Sequence, residues 1–133
     1  CIGNEKLIHY LNDVKFSFNS YTMNLPSQVM GVEAVKDDTY FKATTAKIIA
    51  TRERVKKELT SLGFTFPDSK ANFLFITHPE YQAKDLFQAL REEGIYVRYF
   101  AQPRIDNYLR VSIGTDGQME ALYAFLRQYM GKA

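Results

Sequence analysis

Cysteine occurs once among the 133 residues, at Cys1, so no internal disulfide can form. That usage suits a reducing compartment, and a cytoplasmic location is expected. No apolar run approaches the ~20 residues that span a bilayer, and no charged-then-apolar leader opens the chain. Neither charge sign dominates: 17 basic residues stand against 15 acidic ones, a net charge of +2. The concentrated basic face of nucleic-acid and anionic-membrane binders is therefore missing, and neither partner is expected. The glycines are scattered singly, which excludes a P-loop and a G-x-G-x-x-G turn. Ser27, Ser61 and Ser69 have no G-x-S-x-G setting, so nucleophilic serine chemistry has no support. The two histidines, His9 and His78, lie on separate elements, and neither has a cysteine at ligand spacing. They read as surface residues, and no metal site is expected.

What is present is a globular composition, 46% hydrophobic and 24% charged, in a chain long enough to bury one core. A single domain over residues 1–133 is expected. The chain opens directly into a helical pattern behind Cys1 and reads as part of something longer. Residues 4–15 place Leu7, Ile8, Leu11 and Val14 on one stripe, with Asn4 as N-cap. Residues 16–27 follow no period. Pro26 suits the first turn of a helix to about Lys36, with Val29, Met30 and Val32 inward. Asp38 caps a long helix over 38–63, stepping through Phe41, Thr45, Ile48, Arg52, Val55, Leu59 and Leu62 to Gly63.

From residue 64 the period shortens. Residues 64–66 and 72–77 read as strands, the second apolar on both faces. Residues 80–93 form a helix with Ala83, Leu86, Phe87 and Leu90 inward and Gly94 as its stop. Strands follow at 95–100 and 108–113, joined by a hairpin loop. Thr115 and Gln118 then make a capping box for a last helix whose Met119, Leu122, Leu126 and Tyr129 face inward. The expected fold class is α+β, in two layers. A small, mostly antiparallel sheet of three to four strands carries helices on one face, with 108–113 between 72–77 and 95–100.

The carboxylate pairs Asp37–Asp38 and Glu92–Glu93 are adjacent, and adjacent helical residues point apart, so neither is a catalytic pair. Arg98 and Arg110 are different. Both fall on the polar phase of strands that should pair through a hairpin, which would bring two guanidinium forks out on one side of the sheet. Such forks suit carboxylate or phosphate. From spacing alone, two arginines on a solvated face is the favoured reading.

The stretches "VKFSFNSYTMNLPSQ", "SKANFLF", "LFQALREEGIYVRYF" and "NYLRVSIGTDGQMEAL", in this order, add what periodicity cannot. Together they resemble the C-terminal third of the histidinol-phosphate aminotransferases, fold-type I enzymes dependent on pyridoxal 5′-phosphate. The resemblance covers nearly the whole chain. It implies a C-terminal small domain: 1–37 joining a large upstream domain, 38–63 a long helix, and 64–133 the sheet and its helices. It implies substrate-anion binding by the arginine of "LRVSIGT", Arg110, and by the arginine of "VRYF", Arg98. The family's cofactor lysine, its pyridine-nitrogen aspartate and most of its phosphate cup lie upstream of the matched region, and no lysine here sits in a matching motif. No catalytic, cofactor-binding or metal-binding residue is therefore expected within the chain, which alone should be inactive. The implied parent is a homodimer converting histidinol phosphate and 2-oxoglutarate to imidazole-acetol phosphate and glutamate in histidine biosynthesis. Another fold-type I aminotransferase, for aromatic or other amino acids, and a stand-alone anion-binding α+β domain remain open alternatives.

Overall fold

The computed structural model describes residues 2–18 and 20–131; Cys1 and Lys132 lie outside them, and the aperiodic stretch 16–27 is described except at residue 19. The chain forms two compact units, Cys1–Phe41 and Lys42–Ala133.

The first unit holds α1 (Glu5–Phe18), α2 (Leu25–Lys36) and the start of α3 (Asp38–Ser61). Asn4 caps α1, its side-chain oxygen accepting the Lys6 N–H at 3.0 Å. Asn24 caps α2 by accepting the Ser27 N–H at 2.9 Å, and Pro26 sits in the first turn, where a missing N–H costs nothing. The cap of α3 is Asp37 rather than the expected Asp38: its carboxylate accepts the Tyr40 N–H at 3.0 Å, which leaves Asp38 as the first helical residue. Leu7, Leu11 and Val14 on α1 are exposed, and so are Val29, Met30 and Val32 on α2, contrary to their expected inward placement. Two short helices without a third layer cannot enclose a core, and α2 has no buried residue.

The second unit is built on a three-stranded antiparallel sheet of β1 (Phe73–Ile76), β2 (Arg98–Tyr99) and β3 (Leu109–Ser112), in the order β1-β3-β2. That order is the one the hairpin and crossover rules require. The expected strand at 64–66 is reduced to one bridge, Thr65 to Thr77, because Pro67 has no N–H with which to extend the ladder. β1 is not apolar on two buried faces. Leu74 and Ile76 are buried while Phe73 is exposed and Phe75 half-buried, so the phenylalanines occupy the more open side.

On the closed side α3, α4 (Ala83–Glu92) and α5 (Asp116–Tyr129) converge with Leu74, Ile76, Leu109 and Val111 in one core. Leu59, Leu86, Leu90, Leu122 and Leu126 are its largest helical contributions, each all but solvent-free. Burial of one such side chain is worth ~1.5–3 kcal/mol. α3 is 24 residues, roughly 36 Å, whereas a four-residue strand covers about 13 Å. Only its Thr51–Leu59 stretch therefore reaches the core. Thr45 and Ile48 are half-buried, and Phe41, expected inward, is exposed. α5 starts with the expected capping box, Thr115 with Gln118. Tyr129, expected in the core, is 40% exposed because it lies in the last turn, where it stacks on Phe125.

Candidate functional site

The register of the sheet decides where the two arginines stand. Arg110 on β3 is the Cα partner of Phe75 on β1 and of Arg98 on β2, so Phe75, Arg110 and Arg98 form one cross-strand row. Residues directly opposite each other in an antiparallel pair share a face. Both guanidinium groups thus belong to the open side of the sheet, opposite the core face of Leu109 and Val111. Sequence phase brought them together correctly.

Arg52, Arg54 and Arg127 each have a carboxylate partner, respectively Glu53, Asp116 and Glu58. Arg98 and Arg110 have none, nor any side-chain hydrogen bond, among the described residues; the exposed Arg91 and Arg104 also have no carboxylate partner there. What they touch is aromatic. The Arg110 guanidinium carbon lies 5.5 Å from the centre of the Phe73 ring, and that of Arg98 lies 5.2 Å from the Phe100 ring. Phe100 meets Phe75 edge-on at 5.9 Å, and Phe75 stacks on Tyr108 at 4.5 Å. The open side is therefore an aromatic floor bearing two cations whose N–H donors are unspent. A planar anion with two acceptor oxygens, or a phosphate, is the ligand such forks match.

Three tethers set this surface in place, and sequence reasoning missed all of them. Arg52, 4% exposed, donates from its guanidinium to the Ala71 carbonyl at 3.1 Å. Lys56 on the same helix reaches Asp68 at 2.7 Å. Together they fasten the 67–72 loop to α3 and so fix where Phe73 begins β1. The Asp68 hydrogen bond pushes the Lys56 ammonium up from its ordinary pKa, and the same contact holds Asp68 below the usual carboxylate range. Glu53 is also depressed, first by Lys56 and then by Arg52. The third tether is Asn107, three residues before Arg110. Its side-chain oxygen accepts the Ala83 N–H at 2.9 Å and its amide donates to Thr77 Oγ1 at 3.3 Å. Gln82, the N-cap residue of α4, gives no side-chain bond, so the hairpin loop supplies that cap instead. These partners lie 19, 12, 24 and 30 positions apart, and no local pattern announces them.

His78 corrects another expectation. It is 4% exposed, not a surface residue. Its Nδ1 accepts the Glu80 N–H at 3.1 Å, which leaves Nε2 to donate to the Leu62 carbonyl at 3.2 Å. Both ring nitrogens are spent on backbone, between Phe64 and Tyr81. Among the described residues no cluster of three or more His, Cys, Asp or Glu side chains could hold a metal. No helix among them is long and apolar enough to cross a membrane.

No described lysine fits the Schiff-base role toward a pyridoxal cofactor. A Schiff-base lysine needs a desolvated amine with a lowered pKa. None of the described lysines is buried, and the half-buried Lys56 is held in its charged form by Asp68 and Glu53.

Comparison with known proteins gives one consistent picture. The family model for aminotransferase class I and II matches residues 1–126. Histidinol-phosphate aminotransferase of Brachyspira hyodysenteriae is 53% identical over 119 residues, which cover 90% of this chain and 34% of that protein. Among solved structures, histidinol-phosphate aminotransferase from Clostridium acetobutylicum aligns with a TM-score of 0.76 at 20% identity, covering 90% of this chain and 37% of that one. The enzyme from Sinorhizobium meliloti, in complex with pyridoxal-5′-phosphate, aligns with a TM-score of 0.68 at 25% identity, covering 74% and 28%. The chain thus spans about a third of the length of the proteins it is similar to.

Proposed function

Because the chain belongs to the aminotransferase class I and II family, we propose that it is the substrate-anion-binding small domain of a pyridoxal-phosphate-dependent histidinol-phosphate aminotransferase. The complete protein transfers the amino group of histidinol phosphate to 2-oxoglutarate, giving imidazole-acetol phosphate and glutamate. Pyridoxal phosphate, held by residues outside this chain, supplies the electron sink for that exchange. The likeness to a pyridoxal-phosphate complex supports the cofactor assignment for the complete protein. The chain by itself is inactive, and the complete protein acts as a homodimer in the cytoplasm.

The carrying observation is the Arg98–Arg110 row, two cations side by side with no anionic partner among the described residues. A sheet face kept merely soluble has no need of that arrangement. Arg110 binds the anionic end of either substrate through two parallel N–H···O bonds, and Arg98 adds a second positive charge beside it. Closing this surface over the cofactor excludes water, which strengthens each of those bonds.

The test is Arg110→Ala and Arg110→Lys in the full-length protein, with the two half-reactions measured separately. The alanine variant should lose a few hundredfold or more in both, as removal of one partner from a closed ion pair costs ~3–5 kcal/mol. The lysine variant should fail as well, since an ammonium cannot make the fork. A near-normal lysine variant would reduce Arg110 to an ordinary sheet residue.

A further inference from the structure

A guanidinium that must bind an incoming anion faces a conflict. It needs something to hold it in one place, yet a carboxylate partner would cancel its charge and occupy its N–H donors. An aromatic face resolves this. It attracts the cation through the ring's negative quadrupole, and it leaves the in-plane N–H donors at the guanidinium edge free. Arg110 and Arg98 both lack a carboxylate or hydrogen-bond partner among the described residues, and both lie within cation–π range of a phenylalanine.

The geometry points to Phe73 as a positioning residue for Arg110, holding its guanidinium for the substrate anion without spending the donors that bind it. The inference rests on Arg110 as the anion ligand. Phe73 is at the edge strand of the sheet, on the open side, with its ring beneath the Arg110 guanidinium. Its position is fixed from behind. The Arg52 guanidinium and Lys56 hold the 67–72 loop against α3, and Ser69 Oγ donates to the Phe73 carbonyl at 2.7 Å. The backbone that carries Phe73 is thus tethered to α3 through the loop, beneath the long Arg110 side chain. Phe100 stands in the same relation to Arg98, itself braced edge-on by Phe75.

The experiment uses the full-length enzyme with inorganic phosphate as a competitive probe, and compares Phe73→Leu, Phe73→Tyr, Arg110→Ala and the Phe73→Leu/Arg110→Ala double variant. Phe73→Leu keeps an apolar side chain but removes the π face. It should weaken phosphate competition about three- to tenfold with little change in melting temperature, while Phe73→Tyr stays near wild type. In the Arg110→Ala background, Phe73→Leu should produce no further loss, because the two act through one interaction. An unchanged inhibition constant for Phe73→Leu, or an equal loss with and without Arg110, would overturn the positioning role. If Arg110→Ala itself leaves phosphate competition intact, the anion-site reading fails instead, and the positioning role with it.

Discussion

Arg98 and Arg110 oppose each other directly across β2 and β3, a like-charged pair at a position where sheets favour opposite charges. Such a pair costs stability, of the order of 0.2–1 kcal/mol relative to neutral partners. Introducing a carboxylate should reverse the sign. Arg98→Glu would face Arg110 with an anion, and the melting temperature of the chain should rise. In the full-length protein the same variant should bind phosphate poorly, since the new carboxylate competes for the Arg110 fork. A stability gain together with a binding loss is the outcome expected where a fold tolerates strain for function. Thermal unfolding and phosphate competition, measured side by side, check it.

Two glycines test how far the packing around the core extends. Gly63 and Gly94 both adopt positive φ, at +96° and +79°, as helix stops. A Cβ on Gly94 would meet nothing within 4 Å, whereas one on Gly63 would come 2.8 Å from His78 Nε2. Gly94→Ala should cost only the left-handed backbone penalty, ~1–2 kcal/mol. Gly63→Ala must also push the imidazole off the Leu62 carbonyl, leaving a buried polar group unsatisfied for a further ~1–3 kcal/mol. Chemical denaturation of both variants should therefore give clearly unequal losses.

The dependence of stability on pH should show two edges. Burial, and after it the charges of Glu120 and Glu58, push Tyr123 from its ordinary 10.0 up to about 12. The folded state then holds that proton more tightly than the unfolded state. The stabilisation is complete below pH 10 and is lost as pH rises from 10 toward 12. Phenolate absorbance should show one late-titrating tyrosine that Tyr123→Phe removes. On the acid side Asp68 and Glu53 are depressed below their ordinary 3.8 and 4.5, so their contribution is present above those values. It fades as pH falls through the lower folded values, and the 67–72 loop should become protease-sensitive there before the core unfolds.

Much of this architecture is legible in the sequence because it depends on local signals. A short apolar run located β1 and alternation β3, the positive-φ glycines closed α3 and α4, and the Thr115–Gln118 box opened α5. The placement of Arg98 beside Arg110 followed from strand phase and a short hairpin. What stayed hidden depends on partners distant in the chain. His78 looks like any histidine in a polar loop until Leu62 and Glu80 take both its nitrogens. Asn107 is an ordinary loop residue until its side chain caps a helix 24 positions away. The stripes on α1 and α2 have correct helical periodicity, but periodicity reports an apolar face without saying what covers it.

Arg98 should discriminate between the two substrates rather than support both equally. Under the proposed function, histidinol phosphate, which has no α-carboxylate, would place its phosphate, with close to two negative charges at neutral pH, at the Arg110 end. Glutamate brings one charge to that place. If Arg110 forms the fork as proposed, a second guanidinium one strand away gains more from the phosphate, which has additional oxygens to accept its donors. Charge-assisted bonds contribute ~1.5–3 kcal/mol each. Arg98→Ala in the full-length protein should then raise the apparent Michaelis constant for histidinol phosphate by roughly ten- to a hundredfold, about 1.4–2.8 kcal/mol. Glutamate should suffer distinctly less. Separate half-reactions expose the difference, because both substrates meet the same pocket. No loss for either substrate would mean that Arg98 is a solvated strand residue and that Arg110 binds the anion alone; equal losses for both would mean that Arg98 serves the site without discriminating.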